Sequence, residues 1–354
     1  MKLLALSEKV GLGPLFIVTE GRFRPISPPR SIHPQRYVLI EVRGHRLRPS
    51  GINALTAGAL LLLCLLWSLV SLRSDLIPGS LPAATSSPLL NQASILALFT
   101  IIAASTSIVR RANWPRSRVL FGEVLVGVGL LALPTLLVEA ARCHVDNPTR
   151  VALFSLVPVF AVVFEPYLGS ASNSPQRGGL AAALVALGGT VLIFPLDLPR
   201  TPASAAAFCG IVVAAASVAA ANCTAVKIAK SQTSLSLFSF AAIASGSAAM
   251  LLAIVGLSIE RHAWPIAHID AWVISDLLSL ALLFWLLRHM SAVRMTTRFL
   301  MAPLMANLIA LAFLRPGVQP RAWLGLLLIA LASSWLLFAP EDKPEKTGSP
   351  LGII

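Results

Sequence analysis

Polar residues in this chain are sparse and clustered, and the stretches between the clusters are too long and too apolar for a water-soluble fold. From Pro49 onward the sequence is a series of apolar runs separated by short polar or proline-containing breaks. A helix needs about 20 residues to cross the hydrocarbon core of a bilayer. The runs predict ten spans, at 52–71, 89–109, 118–139, 151–168, 178–197, 203–226, 235–258, 271–288, 296–314 and 322–339. The sixth, seventh and tenth carry no charge until their ends. The fourth, eighth and ninth are short or interrupted by Glu165, Asp276 and Arg298, so nine spans stay open beside ten. The fold class expected is therefore an all-α integral membrane protein.

Composition agrees. Hydrophobic residues make up 56% of the chain and charged ones 12%, and mean hydropathy is +0.80. That balance, arranged in uncharged runs, fits lipid as the solvent. The net charge of +13 matters through its placement, since Lys and Arg concentrate on the cytoplasmic side of membrane proteins. With ten spans and the N-terminus inside, 21 Lys and Arg fall inside and seven outside, so both termini are expected to be cytoplasmic. No basic face with interleaved aromatics suggests nucleic acid. The partners expected are the lipid bilayer and a small-molecule substrate, with a homodimer left open.

Residues 1–48 differ from the rest, with nine Lys or Arg against three Glu and the Pro-rich text Pro25-Ile26-Ser27-Pro28-Pro29. Three readings stay open: a solvated disordered tail, a tail lying on anionic headgroups, or a start site called too far upstream. Glu8 and Lys9 interrupt the apolar Met1–Leu6 run before a signal peptide could form, so the first span is expected to serve as insertion signal and anchor. The segment 341–354 reads as a short C-terminal tail. The four cysteines (Cys64, Cys143, Cys209, Cys223) lack metal-ligand spacing, and no metal or cofactor is expected.

The chain also repeats itself. Pro158 in the fourth span and Pro303 in the ninth sit 145 residues apart. Pro175-Gln176-Arg177-Gly178-Gly179-Leu180 and Pro320-Arg321-Ala322-Trp323-Leu324-Gly325 then open the fifth and tenth spans at nearly the same offset. Five spans per half, an odd number, would invert the second half relative to the first. The halves are 49–198 and 199–340. Inverted repeats are a device of secondary transporters, whose halves rock about a central site.

At these residues the chain resembles the EamA-type family of the drug/metabolite transporter superfamily. The resemblance is carried by Asn147-Pro148-Thr149-Arg150 leading to Pro158, by His289-Met290-Ser291-Ala292-Val293-Arg294 leading to Pro303, and by Trp67 near the end of the first span. It covers roughly residues 55–340. It implies two inverted five-helix repeats in a bacterial inner (plasma) membrane. It also implies a central cavity lined mainly by the first, third, fourth, sixth, eighth and ninth helices. Where the family usually carries a Gly-Glu pair after the fourth helix, this chain reads Leu168-Gly169-Ser170-Ala171-Ser172.

Ionisable groups at membrane depth are costly and mark function by default. Glu123 lies about 7.5 Å into the third span, at 1.5 Å per residue from Arg118, and Asp276 sits at a similar depth in the eighth. They are expected at opposite ends of a substrate or proton pathway, or paired locally with residues such as Arg118. Asn222 and Asn307 would bind substrate or join helices. Trp67 and Trp285 would wall a cavity or anchor at the interface. Pro134, Pro158 and Pro303 are expected to kink their helices. Arg298 is expected to snorkel to the headgroups, and Glu139 and Glu165 to be solvated. No Ser/His/Asp, HExxH or phosphate-loop pattern occurs, so an enzyme is not expected. The function expected is a secondary transporter, an exporter working by alternating access and coupled to protons or exchange. The alternatives are a membrane anchor that does not transport and an embedded enzyme acting on a lipid-linked substrate.

Overall fold

The computed structural model describes residues 15–19, 22–26, 53–72, 88–115, 117–169, 178–231, 236–260, 271–313 and 319–339. The chain divides into two units, Met1–Arg48 and Pro49–Ile354. In the first, β1 (Leu15–Thr19) and β2 (Arg22–Ile26) form an antiparallel hairpin with Leu15 opposite Ile26 and Thr19 opposite Arg22. The sequence predicted no element there. The rest of the N-terminal segment, the 170–177 loop and the C-terminal segment 341–354 lie outside the described residues.

The second unit is all-α over its described residues. With no water in the bilayer core, a spanning segment must satisfy its own backbone polar groups, which a helix does. The first two spans are α1 (Ala54–Ser71) and α2 (Pro88–Val109). The third joins α3 (Ser117–Gly127), a wide π turn (Val128–Ala132) and α4 (Leu133–Ala140). The fourth is α5 (Asn147–Phe154) and α6 (Val157–Leu168), and the fifth is α7 (Gly179–Ile193). The sixth to eighth are α8 (Pro202–Ser231), α9 (Leu237–Glu260) and α10 (Ala271–His289). The ninth is α11 (Ala292–Thr296) and α12 (Arg298–Phe313), and the tenth is α13 (Pro320–Phe338). Nine of these segments are long and apolar enough to cross a membrane, and α7, at 15 residues, is a shorter apolar helix.

Three spans depart from a plain α-helix, each for a local reason. Proline lacks an N–H and its ring crowds the carbonyl four residues back. Ahead of Pro134 the chain widens, and the Leu133 N–H reaches back five residues to the Val128 carbonyl. The fourth span breaks at Ser155-Leu156, and Pro158 opens the helix that follows. The ninth breaks at Thr297. There the Thr296 and Thr297 hydroxyls donate to the carbonyls of Val293 and Arg294, at 2.8 and 2.7 Å. Such back-bonding competes with the helical ladder. Pro303 lies inside α12, six residues beyond that break.

The most extensive packing joins α2 to α9 and α7 to α13. Both pairs are antiparallel. Gly256 abuts Leu90 and Gly246 abuts Thr100, and Gly178 abuts Trp335 while Gly189 meets the Gly325 carbonyl. Thr100 and Ser245 share a hydrogen bond of 2.8 Å across the first pair. Small residues at crossings let backbones approach closely, as membrane bundles require. Two further bonds tie α1 to α12 and α8 to α6: Ser68 Oγ donates to the Ala302 carbonyl at 2.8 Å, and Cys223 Sγ to the Ala161 carbonyl at 3.8 Å.

Large apolar side chains also face outward, among them Ile101, Phe121, Met250, Ile274, Leu331 and Trp335. In water these faces would form a patch far above the few hundred Å2 that soluble proteins tolerate. In lipid they need no cover, and the chain is a multi-spanning membrane protein.

Candidate functional site

The break at Thr297 fixes where the next side chain goes. Arg298 is the seventh residue of the span Ala292–Phe313, so it lies about 9 Å in from Ala292 at 1.5 Å per residue. It does not snorkel as expected, because it points inward to α8 and is 1% exposed. Nη1 and Nη2 each donate to Asn222 Oδ1 at 3.3 Å, and Nη1 also donates to the Met295 carbonyl at 3.1 Å. Asn222 is itself held, its Nδ2 donating to the Val218 carbonyl at 2.7 Å. The guanidinium carbon lies 4.8 Å from the ring centre of Phe299 and 5.5 Å from that of Trp67. Among the described residues Nε has no partner and no carboxylate forms an ion pair with Arg298.

Magnitudes weigh these contacts. Burying a charge costs several kcal/mol even after relaxation. A hydrogen bond to a charged group returns about 1.5–3 kcal/mol and a cation–π contact about 0.5–2. The partners are neutral, the two bonds to Asn222 are long, and one oxygen serves both nitrogens. The charge is solvated in part and compensated by no opposite charge.

The aromatic residues around it come from three spans. Phe154 of α5 stacks on Phe299 of α12, with ring centres 6.1 Å apart and planes 21° apart, and Trp67 of α1 meets Phe299 edge-on at 5.8 Å. The structure thus gathers two sequence candidates, Trp67 and Asn222, around a third residue that sequence reasoning had sent to the membrane surface.

Glu123 occupies a second position. Its side chain is fully buried, and among the described residues neither carboxyl oxygen has a hydrogen-bond partner. It lines a recess with Ile228, Ala229, Ser236, Leu237, Phe240 and Arg288 that has room for about one water molecule. The side chain of Arg118, its suggested partner, lies outside the described residues. The close approach of α3 to α9 helps to seal the helix: a Cβ on Gly127 would overlap the Ala244 carbonyl and the Ser247 hydroxyl. Asp276 is half-buried and has a partner of its own. It lies twelve residues before Arg288 on α10, about 18 Å along the axis, so the two acids are not brought together.

The remaining candidates stand apart. Asn307 Nδ2 donates to the Pro303 carbonyl at 2.8 Å within its own helix. Trp285 stacks on His289 at 4.2 Å, near the end of α10. Glu139 pairs with Arg142 at 3.2 Å. Glu165, expected in solvent, is buried at 7% exposure and engaged by a neighbour. Arg294 is buried too, and its Nη2 donates at 2.9 Å to the Ala339 carbonyl at the end of α13, a favourable place for a cation.

No family model matches the chain, and no curated protein sequence matches it. Solved structures do share its fold. One, a crystal structure of a protein, superposes with a TM-score of 0.61 at 14% identity, covering 79% of this chain and 96% of the other. At that identity the likeness shows the fold alone.

Proposed function

We propose that the chain is a secondary transporter, an exporter of a small metabolite, that works by alternating access between two inverted five-helix repeats, 49–198 and 199–340, as its resemblance to the EamA-type family implies. One observation carries this reading. Phe154 and Phe299 are separated by 145 residues, the same offset as Pro158 and Pro303, and their rings stack on each other. Residues related by a two-fold axis touch only where they lie close to that axis. Their contact supports a pseudo-two-fold between the halves, passing beside the broken fourth and ninth spans.

The packing supports the same symmetry. The pairs α2 with α9 and α7 with α13 each join a helix to its counterpart five spans on. The α1–α12 bond through Ser68 is matched by the α8–α6 bond through Cys223. Broken spans at a repeat interface are where transporters of this design place their substrate site, and Arg298, Asn222 and Trp67 converge there. Glu123, sealed without a partner, suits a carboxyl that exchanges a proton or ion during the cycle, with Asp276 serving the other end. Both termini are cytoplasmic in this reading.

The test is export from cells. Metabolites would be measured in the medium of cells expressing the wild type, Glu123→Gln or an empty vector, with and without a protonophore. The reading expects at least one metabolite to accumulate outside only with the wild type, and to stop when the proton gradient collapses. Identical media from all three strains would sink it.

A further inference from the structure

The Arg298 guanidinium has more binding capacity than the protein uses. Its Nη groups share one amide oxygen, with one further bond from Nη1 to the Met295 carbonyl, and among the described residues its Nε, 1% exposed, has no partner and no carboxylate pairs with it. It also opens α12, a helix of 16 residues, whose N-terminus carries the positive end of the helix dipole. Two positive sources therefore meet at one buried point, with no carboxylate paired to Arg298 among the described residues. Phe299 and Trp67 flank the guanidinium on one side, their ring centres 4.8 and 5.5 Å from its central carbon and 5.8 Å from each other, leaving the unpartnered Nε–H as the direction of recognition. A planar fork of N–H donors matches the two oxygens of a carboxylate or phosphate, which a lysine ammonium would not.

We propose that Arg298, oriented by Asn222 and flanked by Phe299 and Trp67, is the subsite for the oxyanion group of a small organic anion. This rests on and deepens the transport reading, whose opening movement would bring a solute to a guanidinium that is 1% exposed. A cationic substrate is disfavoured at this point, since nothing there offsets its repulsion from Arg298.

Full-length protein purified in detergent would be followed by thermal unfolding. The probes are succinate, lactate, inorganic phosphate and glycerol 3-phosphate, with putrescine, glycerol and ionic-strength-matched sodium chloride as controls. The wild type is expected to gain about 2 °C or more at tenfold excess over Kd with at least one anion. The carboxylate and phosphate arms identify which oxyanion is bound. Arg298→Gln is expected to lose the shift and Arg298→Lys to keep a small part of it. Asn222→Asp gives Arg298 a built-in carboxylate, so it is expected to raise the basal Tm and abolish the anion shift. That variant decides the matter even if Arg298→Gln does not fold. No shift with any soluble anion, or a full shift in Asn222→Asp, overturns the proposal. So does a response to phosphatidylglycerol alone, which would make the occupant a lipid headgroup. Binding is read without transport. Anion binding with no export would therefore sink the transport reading and leave the subsite, whereas export of a neutral metabolite undisturbed by Arg298→Gln would do the reverse.

Discussion

Two buried ionisable residues, Glu123 and Arg298, carry the functional argument at the residue scale, and both are unfavourable for folding. A buried polar group without a partner costs about 1–3 kcal/mol. Glu123→Leu removes both orphaned oxygens and is expected to raise unfolding stability by about that amount while abolishing export, the trade-off typical of functional sites. Thermal unfolding in detergent measures the first effect and the export assay the second. A loss of stability of the same size would mean that the carboxyl is structural. Glu123 was legible in the sequence as a charge within an apolar run. Arg298 was visible there too but assigned to the surface. Its position in the first turn of its span fits a snorkelling arginine, and the neighbour that draws it inward, Asn222, lies 76 residues away. Sequence separation of that kind hides a site even when each residue is noticed.

At the scale of the helix, apolar run length located the spans, and the structure moved their ends and breaks. The sequence expects α8 over 203–226, yet the helix runs on to Ser231, because Lys227 and Lys230 can continue a helix beyond the hydrocarbon. The wide turn lies just ahead of Pro134 and the break just ahead of Pro158, whereas in the ninth span two threonine hydroxyls interrupt the ladder six residues ahead of Pro303, which lies inside a helix. Close helix crossings were legible only as small residues, since which helix meets which depends on the fold. Their energetic weight can be tested at α7 and α13. A Cβ on Gly325 would fall 2.6 Å from the Gly189 carbonyl and 2.7 Å from Ile193 Cγ1, whereas one on Gly58 meets nothing within 4 Å. Gly325→Val is expected to destabilise by about 1–3 kcal/mol, the usual cost of overpacking. Gly58→Ala is expected to be neutral or to stabilise by up to about 1 kcal/mol through helix propensity. Equal unfolding temperatures for the two variants would show that α7 and α13 do not pack as closely as described.

For the whole molecule, the decisive question is whether the two halves move against each other about the axis that the 145-residue offset suggests. The offset was legible in the prolines, and the same arithmetic applied to Phe154 and Phe299 would have pointed to two rings that stack on each other. If the proposed transport reading holds, a stack on that axis would close the path between the two sides, and alternating access would require it to part at least once per cycle. The four native cysteines are free and can be replaced by serine, after which Phe154→Cys and Phe299→Cys place two thiols where the rings now stack. A short bifunctional thiol reagent is expected to link them and to stop export, with export restored on reduction when the link is a disulfide-forming one. Export by the double variant before linking sets the reference, and Phe154→Cys alone is expected to be unaffected by the reagent, which separates locking from mere loss of an aromatic ring. Full export by the linked double variant would mean that the halves need not separate at this point. The path would then run elsewhere in the bundle, and the pseudo-axis would be a relic of duplication with no part in the mechanism.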